Sequence, residues 1–317
     1  MRLRGVALPS GTADMLKTLL DGRCWLVTQP DHGRLAGQLA AHWGSSHGFA
    51  PLGSFGGPAD EALRSETVFA IAEHDNGWWE WEAAPDLSPD DGLPLSLGEV
   101  LRDQVAGMAR WRVGLDRFPD RPYANLLISR HAHWLYAIRA LPDPDPAFAH
   151  PLFWKGSPEQ LYPGTNEAPL RFLAELEEMA AGWRRELAQD PTTAGWLEPA
   201  RFLPHERLLQ LCDGLSLALC SALIPAASGP SQGLGRDAFE LRDVPRAGWE
   251  DRVTITVTPM GGGRIELDPY PFDCDPLPLL VPAVAVELPL DPPTHFAAWW
   301  QSQPIAPLTF ELVSRRG

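Results

Sequence analysis

Apolar residues recur every three to four positions through most of the first two-thirds of the chain, and this spacing predicts amphipathic helices. One helix is expected to start at Thr28, because a capping hydroxyl is followed by Pro30 and by the acid Asp31 in the first turn. A second helix is predicted over about residues 62–76, and a strongly apolar third helix over 205–223. Loops rich in proline and glycine join these segments.

The last third of the chain has a different pattern, in which apolar and polar residues alternate with a period of two. Residues 252–258 and 264–267 flank a glycine-rich turn and predict a β-hairpin. Residues 281–288 and 309–313 predict two further strands. The end of the chain is therefore expected to form a sheet.

A domain boundary is expected near residue 226, where alanine, serine, glycine and proline follow one another. The sequence predicts a helical domain over 1–226, with a short strand region near its N-terminus. A β-rich extension over 227–317 is expected to pack on one flank of these helices. The predicted fold class is thus mainly α, or α+β when the whole chain is considered.

Polar residues on the apolar faces of these helices are the candidates for function. His32 lies in the first turn of its helix, and its neighbours along one face are Leu35, Ala36 and Leu39. The imidazole is therefore predicted to be buried. A single buried histidine is more often a hydrogen-bonded core residue than a metal ligand, so His32 alone supports both interpretations.

The second predicted helix ends in the doublet His74-Asp75, and both side chains point towards the apolar face that carries Ile71. An acid at the C-terminal end of a helix opposes the helix dipole, and its burial is costly unless it is paired or bound to a cation. The doublet fits two arrangements. It forms a hydrogen-bonded pair, or it supplies a nitrogen and an oxygen to one metal ion.

Asp213 lies in the middle of the most apolar helix, with Leu209 and Leu217 one turn away on either side. No basic residue lies within a turn of it. A carboxylate in this position requires a distant arginine or a metal ion as its partner.

The charge of the chain restricts its partners. The 26 basic and 41 acidic residues give a formal net charge of −15, which argues against nucleic acids and anionic membrane surfaces. The longest apolar runs are shorter than the roughly 20 residues of a membrane span. The four cysteines form no C-x-x-C pair, and no apolar signal segment follows the N-terminus. A small-molecule substrate and a cytoplasmic location are therefore expected, and a homo-oligomer remains open.

Three segments carry a family resemblance. Gln29-Pro30-Asp31-His32, Glu73-His74-Asp75-Asn76-Gly77-Trp78 and Leu209-Gln210-Leu211-Cys212-Asp213-Gly214-Leu215-Ser216-Leu217 resemble an uncharacterised bacterial family of unknown-function proteins related to the HD-domain superfamily of metal-dependent enzymes. The resemblance extends over nearly the whole chain. It implies a helical bundle of the HD type, in which His32, His74, Asp75 and Asp213 bind a divalent transition metal.

Many HD enzymes add histidines that recruit a second metal, and His131 is the candidate here because it shares a face with Leu127 and Leu135. His133 points about 200° away from His131 on a helix. Neither His150 nor His205 lies on an apolar stripe, so the site is predicted to hold one or two ions. Iron, manganese, zinc, cobalt and nickel all remain open. The assigned catalytic residues are Asp75, Glu73 and His131, and the assigned substrate-binding residues are Trp78, Arg34 and Arg130.

The resemblance favours hydrolysis of a small phosphoester by a metal-activated water, which would make the protein a phosphohydrolase-like enzyme. The first alternative is an HD-type diiron oxygenase, which needs four histidines and two aspartates. Only three histidines and two aspartates lie in suitable positions, and this count disfavours the oxygenase. The second alternative is a non-catalytic binding module that the metal stabilises.

Overall fold

The computed structural model describes residues 15–20, 23–83, 85–88, 92–95, 104–151, 167–221, 238–287 and 296–315. Its helices are α1 (Gln29–Ala41), α2 (Glu61–Ala72), α3 (Trp79–Glu82), α4 (Gln104–Asp116), α5 (Pro122–Ala140), α6 (Glu167–Gln189), α7 (Pro199–Cys220) and α8 (Phe296–Ser302). Its strands are β1 (Met15–Leu20), β2 (Arg23–Thr28), β3 (Phe239–Gly248), β4 (Asp251–Gly261), β5 (Arg264–Asp268), β6 (Leu277–Glu287) and β7 (Ala306–Ser314).

The seven strands form one mixed sheet in the order β1-β2-β6-β7-β5-β4-β3. All neighbours are antiparallel except β5 and β7, which run parallel. The predicted hairpin is confirmed as β4 and β5. Gly261, Gly262 and Gly263 have φ values of 85°, 62° and 77° at this turn, and such positive φ values favour glycine.

The predicted fold class is wrong. The molecule is an α+β fold with a seven-stranded mixed sheet, not a mainly helical bundle of the HD type. The sheet also takes in the N-terminal hairpin, because Arg23 to Leu26 of β2 pair with Val284 to Glu287 of β6. This pairing joins segments that are far apart in the chain, and the local apolar pattern on which the prediction rests carries no information about it.

The predicted boundary near residue 226 lies outside the described residues. Strands that precede and follow it belong to the same sheet. Among the described residues, no helix is both long and apolar enough to cross a lipid bilayer.

Helices α1 and α7 connect the sheet to the other helices. They pack on each other, α1 also packs on β6, and α7 also packs on β1 and β3. A continuous apolar core runs from the sheet into the helical layer. Buried polar residues on α1 and α7 therefore lie in the interior of the protein.

The second predicted helix is shorter than its sequence pattern suggests. α2 ends at Ala72, and a turn followed by a short 3-10 segment at Asn76–Trp78 replaces its expected last turn. A Cβ atom at Gly77 would lie 2.1 Å from the Arg110 carbonyl oxygen, so only glycine allows this turn to approach α4 so closely.

Candidate metal centre

Neighbouring residues fix the orientation of the His32 ring and determine which of its nitrogens donates a hydrogen bond. The Thr28 hydroxyl oxygen accepts a hydrogen bond from the Asp31 N–H at 3.1 Å and caps α1. Nδ1 of the fully buried His32 lies 2.9 Å from the hydroxyl oxygen of Ser216 on α7. That hydroxyl donates its only proton to the Asp213 carbonyl oxygen at 2.9 Å, so His32 Nδ1 must carry a proton and donate it. Nε2 is thereby the ring nitrogen that is left to receive a metal ion or a second proton.

Two glycines on α1 allow this helix to approach the end of α2. A Cβ atom at Gly37 would lie 2.6 Å from the Ala72 Cβ, and one at Gly33 would lie 3.0 Å from the Ala72 carbonyl oxygen. Larger residues would push the two helices apart. The close packing brings the rings of His32 and His74 together edge to face, with centroids 5.1 Å apart.

His74 and Asp75 lie in the turn that follows α2. Nδ1 of His74 is 2.8 Å from the Ile71 carbonyl oxygen, which can only accept, so Nδ1 carries the proton. Nε2 of His74 therefore also faces inwards as the potential acceptor nitrogen. Asp75 Oδ2 lies 2.8 Å from His32 Nε2 and 3.6 Å from His74 Nε2.

The carboxylate of Asp213 lies between two pairs of histidines. Oδ1 is 3.2 Å from His74 Nε2 and 3.8 Å from His32 Nδ1. Oδ2 is 2.9 Å from His150 Nε2 and 3.3 Å from His131 Nε2. We call the six side chains that meet here the ligand cluster: His32, His74, Asp75, His131, His150 and Asp213. Asp75 is its most accessible member, with 8% of its surface exposed.

All five residues that the sequence assigns to the metal site lie in the ligand cluster. His150 is the member that sequence reasoning missed. It follows the 3-10 turn Pro146–Phe148 in a loop, where helical periodicity carries no signal. Two α7 side chains hold this loop in place. Arg207 donates to the Ala149 carbonyl oxygen at 2.7 Å, and Gln210 donates to the Phe148 carbonyl oxygen at 2.8 Å.

Electrostatic effects in the cluster are strong because it is buried. Burial alone would lower the pKa of His74, but the carboxylates of Asp75 and Asp213 raise it to about 9. Burial would raise the pKa of Asp213, but the surrounding histidines, above all His74, hold it well below its usual value. Burial lowers the pKa of His131 to about 3, so this ring is neutral. Asp213 thus stays a carboxylate between charged and neutral histidines.

These contacts fit a bound cation. The Nδ1–H bonds of His32 and His74 leave both Nε2 atoms facing carboxylate oxygens, at 2.8 Å from Asp75 and 3.2 Å from Asp213. Two acceptors repel each other, so each contact requires a proton or a metal ion between the atoms. Among the described residues, every ion-pair partner of Asp75 and Asp213 is a histidine. Imidazole nitrogen and carboxylate oxygen are ligands for zinc, iron and their neighbours in the first transition row.

The donor atoms of His32, His74 and Asp213 all lie within 4.8 Å of one another, which is a suitable spacing for one ion. His131 and His150 face the other oxygen of Asp213, with ring centroids 6.2 Å apart. The donor set therefore suits one ion and has enough ligands for two.

Three other assigned residues lie around the cluster rather than in it. Glu73 is half-buried beside His74, and burial raises the pKa of its carboxyl group, although Arg34 opposes this effect. Arg34 is half-exposed and pairs with Asp31 at 3.0 Å. Arg130 donates to the carboxylates of Glu206 at 2.8 Å and Glu177 at 2.6 Å, so its guanidinium is already paired with two acidic side chains.

A tryptophan pair lies behind His131. The ring of Trp111 meets the His131 ring at 5.7 Å between centroids, and the Trp78 ring meets Trp111 at 5.1 Å. Trp78 is thus separated from the histidine by Trp111, which the sequence analysis did not assign to the site. Helix α4 carries Trp111, and nothing in its local sequence distinguishes this residue from an ordinary core tryptophan.

His133 and His205 lie outside the cluster. His133 faces Glu177 at 3.1 Å, as expected from its direction on α5. His205 accepts a hydrogen bond at Nε2 from the Gly53 N–H at 3.1 Å. Its Nδ1–H therefore donates to the Tyr123 hydroxyl oxygen at 2.9 Å. His205 is a hydrogen-bonded core histidine.

Comparison with known proteins places this chain in a family. A family model described as "Protein of unknown function (DUF3891)" matches residues 15–287, and the chain belongs to this family. The predicted membership of an uncharacterised family is thereby confirmed. Searches of curated proteins and of solved structures return no match.

Proposed function

We propose that the ligand cluster binds one or two divalent transition-metal ions and that the protein is a metal-dependent hydrolase of small phosphoesters. One observation carries the metal proposal. His32 and His74 each use Nδ1–H for a hydrogen bond to a neighbour and each direct Nε2 at a carboxylate. Outer bonds of this kind fix the orientation of metal-binding histidines.

The chemistry divides between the ion and the side chains. A divalent ion polarises a phosphoryl oxygen and lowers the pKa of water, which permits hydrolysis near neutral pH. Asp75 is the cluster member closest to solvent and would meet the substrate. Glu73 has a raised pKa and would hold or release a proton beside it. Arg34 lies near Glu73 and would attract an anionic substrate.

The order of the ligands along the chain also supports this proposal. A histidine, a His-Asp doublet and a distant aspartate resemble the metal-binding residues of HD-domain enzymes. This relation is confined to the residues of the site and remains a prediction.

A dinuclear iron oxygenase is the second candidate, and His150 is the observation that favours it. With His150 the cluster contains four histidines and two aspartates, which is the full ligand set that the sequence count lacked. The aromatic ring of Trp111 against His131 adds an apolar wall of the kind that shields an oxidising site. A non-catalytic, metal-stabilised module is the remaining alternative.

Metal analysis tests the common basis of these candidates. Protein purified with and without air is expected to contain at least one transition-metal ion per chain, and two irons would favour the oxygenase. His74→Gln should lose the metal, whereas the matched control His133→Gln should keep it. A folded His74→Gln protein with the wild-type metal content would contradict the proposal.

Activity then separates the candidates. Hydrolysis of a chromogenic phosphoester with added Mn²⁺, lost in Asp75→Asn but retained in His133→Gln, would support the hydrolase. Substrate-dependent oxygen consumption by the iron-loaded protein would support the oxygenase instead. A metal-replete protein that shows neither activity against broad substrate panels would favour the binding module.

A further inference from the structure

A second group of side chains that carry possible metal-ligand atoms lies at the end of α1. His42 follows the last residue of this helix, and residues 269–276 form the loop between β5 and β6. Backbone hydrogen bonds join the two segments. The Asp273 N–H donates to the His42 carbonyl oxygen at 3.0 Å, and the Gly44 N–H donates to the Pro271 carbonyl oxygen at 2.9 Å. The positions of His42 and Asp273 are therefore set by the backbone.

The loop is also anchored on its other side. The Tyr270 hydroxyl donates to the Cys274 carbonyl oxygen at 2.6 Å. Asp275 accepts hydrogen bonds from the backbone and the hydroxyl of Ser314 on β7. Asp275 is thus occupied in holding the loop, while the side chains of Asp273 and Cys274 are directed towards His42.

Three different donor atoms meet at this point. His42 Nδ1 lies 2.9 Å from Asp273 Oδ1 and 3.7 Å from Cys274 Sγ. Suitable atoms of the three residues all lie within 4.8 Å of one another. The side chains of His42 and Asp273 are 44% and 56% exposed, so an ion could reach them from solvent without any opening of the fold.

We propose that His42, Asp273 and Cys274 form a second metal site, separate from the ligand cluster, that takes a zinc-like divalent ion. Imidazole nitrogen, carboxylate oxygen and thiolate sulfur are the three ligand types that zinc uses in proteins. Three protein ligands leave a fourth position to water. The ion would connect the end of α1 to the loop that leads into β6 and stabilise the folded state by mass action. This site does not depend on the proposed function.

Its sulfur ligand distinguishes the second site from the ligand cluster, whose six residues provide only nitrogen and oxygen. Cobalt(II) bound by a thiolate has a charge-transfer absorption in the near ultraviolet that nitrogen and oxygen ligands do not produce. The probe is therefore Co²⁺ alone, added to the metal-stripped full-length protein under reducing conditions. The wild-type protein is expected to develop this band to saturation at about one equivalent of sulfur-bound cobalt.

Variants locate the ion. Cys274→Ser should abolish the band, and His42→Gln should weaken cobalt binding at this site by about tenfold or more. Asp75→Asn, which alters the ligand cluster, should leave the band unchanged. Cys212→Ala is a second control. Cys212 is a buried cysteine next to Asp213, and its replacement should also leave the band unchanged. Absence of the band in the wild-type protein, or its persistence in Cys274→Ser, would overturn the proposal.

Discussion

Helix α7 passes through two buried polar sites that are about two helical turns apart. Around His205, near the start of the helix, each ring nitrogen has a neutral partner, the Gly53 N–H or the Tyr123 hydroxyl. Around Asp213, two carboxylates meet four histidines, and two of these rings, His32 and His74, direct Nε2 at a carboxylate oxygen. The first site is complete as a hydrogen-bonded network. The second requires protons or cations to join its members.

The difference shows that burial alone does not identify a functional histidine. His32 and His205 are equally inaccessible to solvent. Their hydrogen-bond partners differ. Nε2 of His205 accepts from the Gly53 N–H, whereas Nε2 of His32 faces the carboxylate of Asp75. Substitutions should therefore distinguish the two sites. Changes around Asp213 should alter metal binding, whereas a change at His205 should alter how stability depends on pH.

The largest effect is expected from Asp213→Asn. This change removes the charge that faces four histidines and barely alters the shape of the side chain. The affinity for metal should fall by more than the roughly 10–100-fold that loss of an outer partner costs. His205→Gln, the matched change at the other site, should leave the affinity unaltered. Isothermal titration calorimetry of the metal-stripped proteins with Mn²⁺ or Zn²⁺ measures the affinities of both variants.

Both variants should keep the wild-type far-ultraviolet circular dichroism. A folded Asp213→Asn protein with undiminished metal affinity would remove the distinction between the two sites. Equal losses in the two variants would show instead that a disturbance of α7, and not its carboxylate, governs metal binding.

Ser216→Ala should have the next largest effect. The Ser216 hydroxyl accepts the Nδ1–H of His32 and so directs Nε2 into the ligand cluster. Ser129 is a close control, because it is also buried and donates to the carbonyl oxygen three residues earlier, on Leu126. Ser216→Ala should weaken metal binding by about 10–100-fold, whereas Ser129→Ala should not.

Thermal unfolding of the metal-stripped proteins provides the control for Ser216. Ser129→Ala should cost on the order of 1 kcal/mol, and Ser216→Ala should cost more, because it also leaves the buried Nδ1–H of His32 without its acceptor. If both serine variants bound metal as the wild-type protein does, the orientation of His32 would not depend on Ser216.

The contribution of His205 to the stability of the folded protein should depend on pH. Burial lowers the pKa of His205 to about 3, against about 6.5 in the unfolded chain. The unfolded state therefore binds more protons below pH 6.5, and the contribution of His205 to stability is lost as the pH falls. Between pH 7 and pH 5 the loss should be about 2 kcal/mol.

His205→Gln removes this titration while it keeps an acceptor for the Gly53 N–H. Urea unfolding of both metal-stripped proteins should show a smaller decrease in the free energy of unfolding between pH 7 and pH 5 for the variant. Other titrating groups contribute to both curves and cancel in the comparison. Parallel curves for the two proteins would mean that His205 is not held neutral by its site.

Much of the ligand cluster could be predicted from the sequence because its members lie on strongly patterned helices. Asp213 was identified as a charge in an apolar helix, and His32 as a polar residue on an apolar stripe. His131 was found by the same criterion. Local periodicity is sufficient for such residues, because the position of a residue along a helix determines whether its side chain points towards the apolar face.

The parts that were missed depend on contacts between distant segments. His150 lies in a loop, and its position results from hydrogen bonds that Arg207 and Gln210 donate to the preceding residues. The N-terminal hairpin joins the sheet only through the pairing of β2 with β6. No local pattern in either segment specifies its distant partner, so the helical-bundle prediction was wrong, and His150 was not among the predicted ligands.

Gln210 connects the two sites and should show the smallest effect. It lies between His205 and Asp213 on α7 and donates to the Phe148 carbonyl oxygen, two residues before His150. Gln210→Met keeps the length of the side chain but removes this bond, so His150 should be held less firmly. Binding of a second ion should weaken by about tenfold, while the first ion should bind as in the wild-type protein.

Gln38→Met is the matched control for Gln210. Gln38 also bonds a distant backbone, because its amide donates to the Leu280 carbonyl oxygen at 2.8 Å and accepts from the Leu280 N–H. Both substitutions remove a glutamine bridge to a distant backbone, but only Gln210 holds the loop before His150. Metal titrations in which the two variants bind the second ion equally well would show that His150 keeps its place without Gln210. A selective loss in Gln210→Met would extend the metal site to the segment of α7 that separates it from His205.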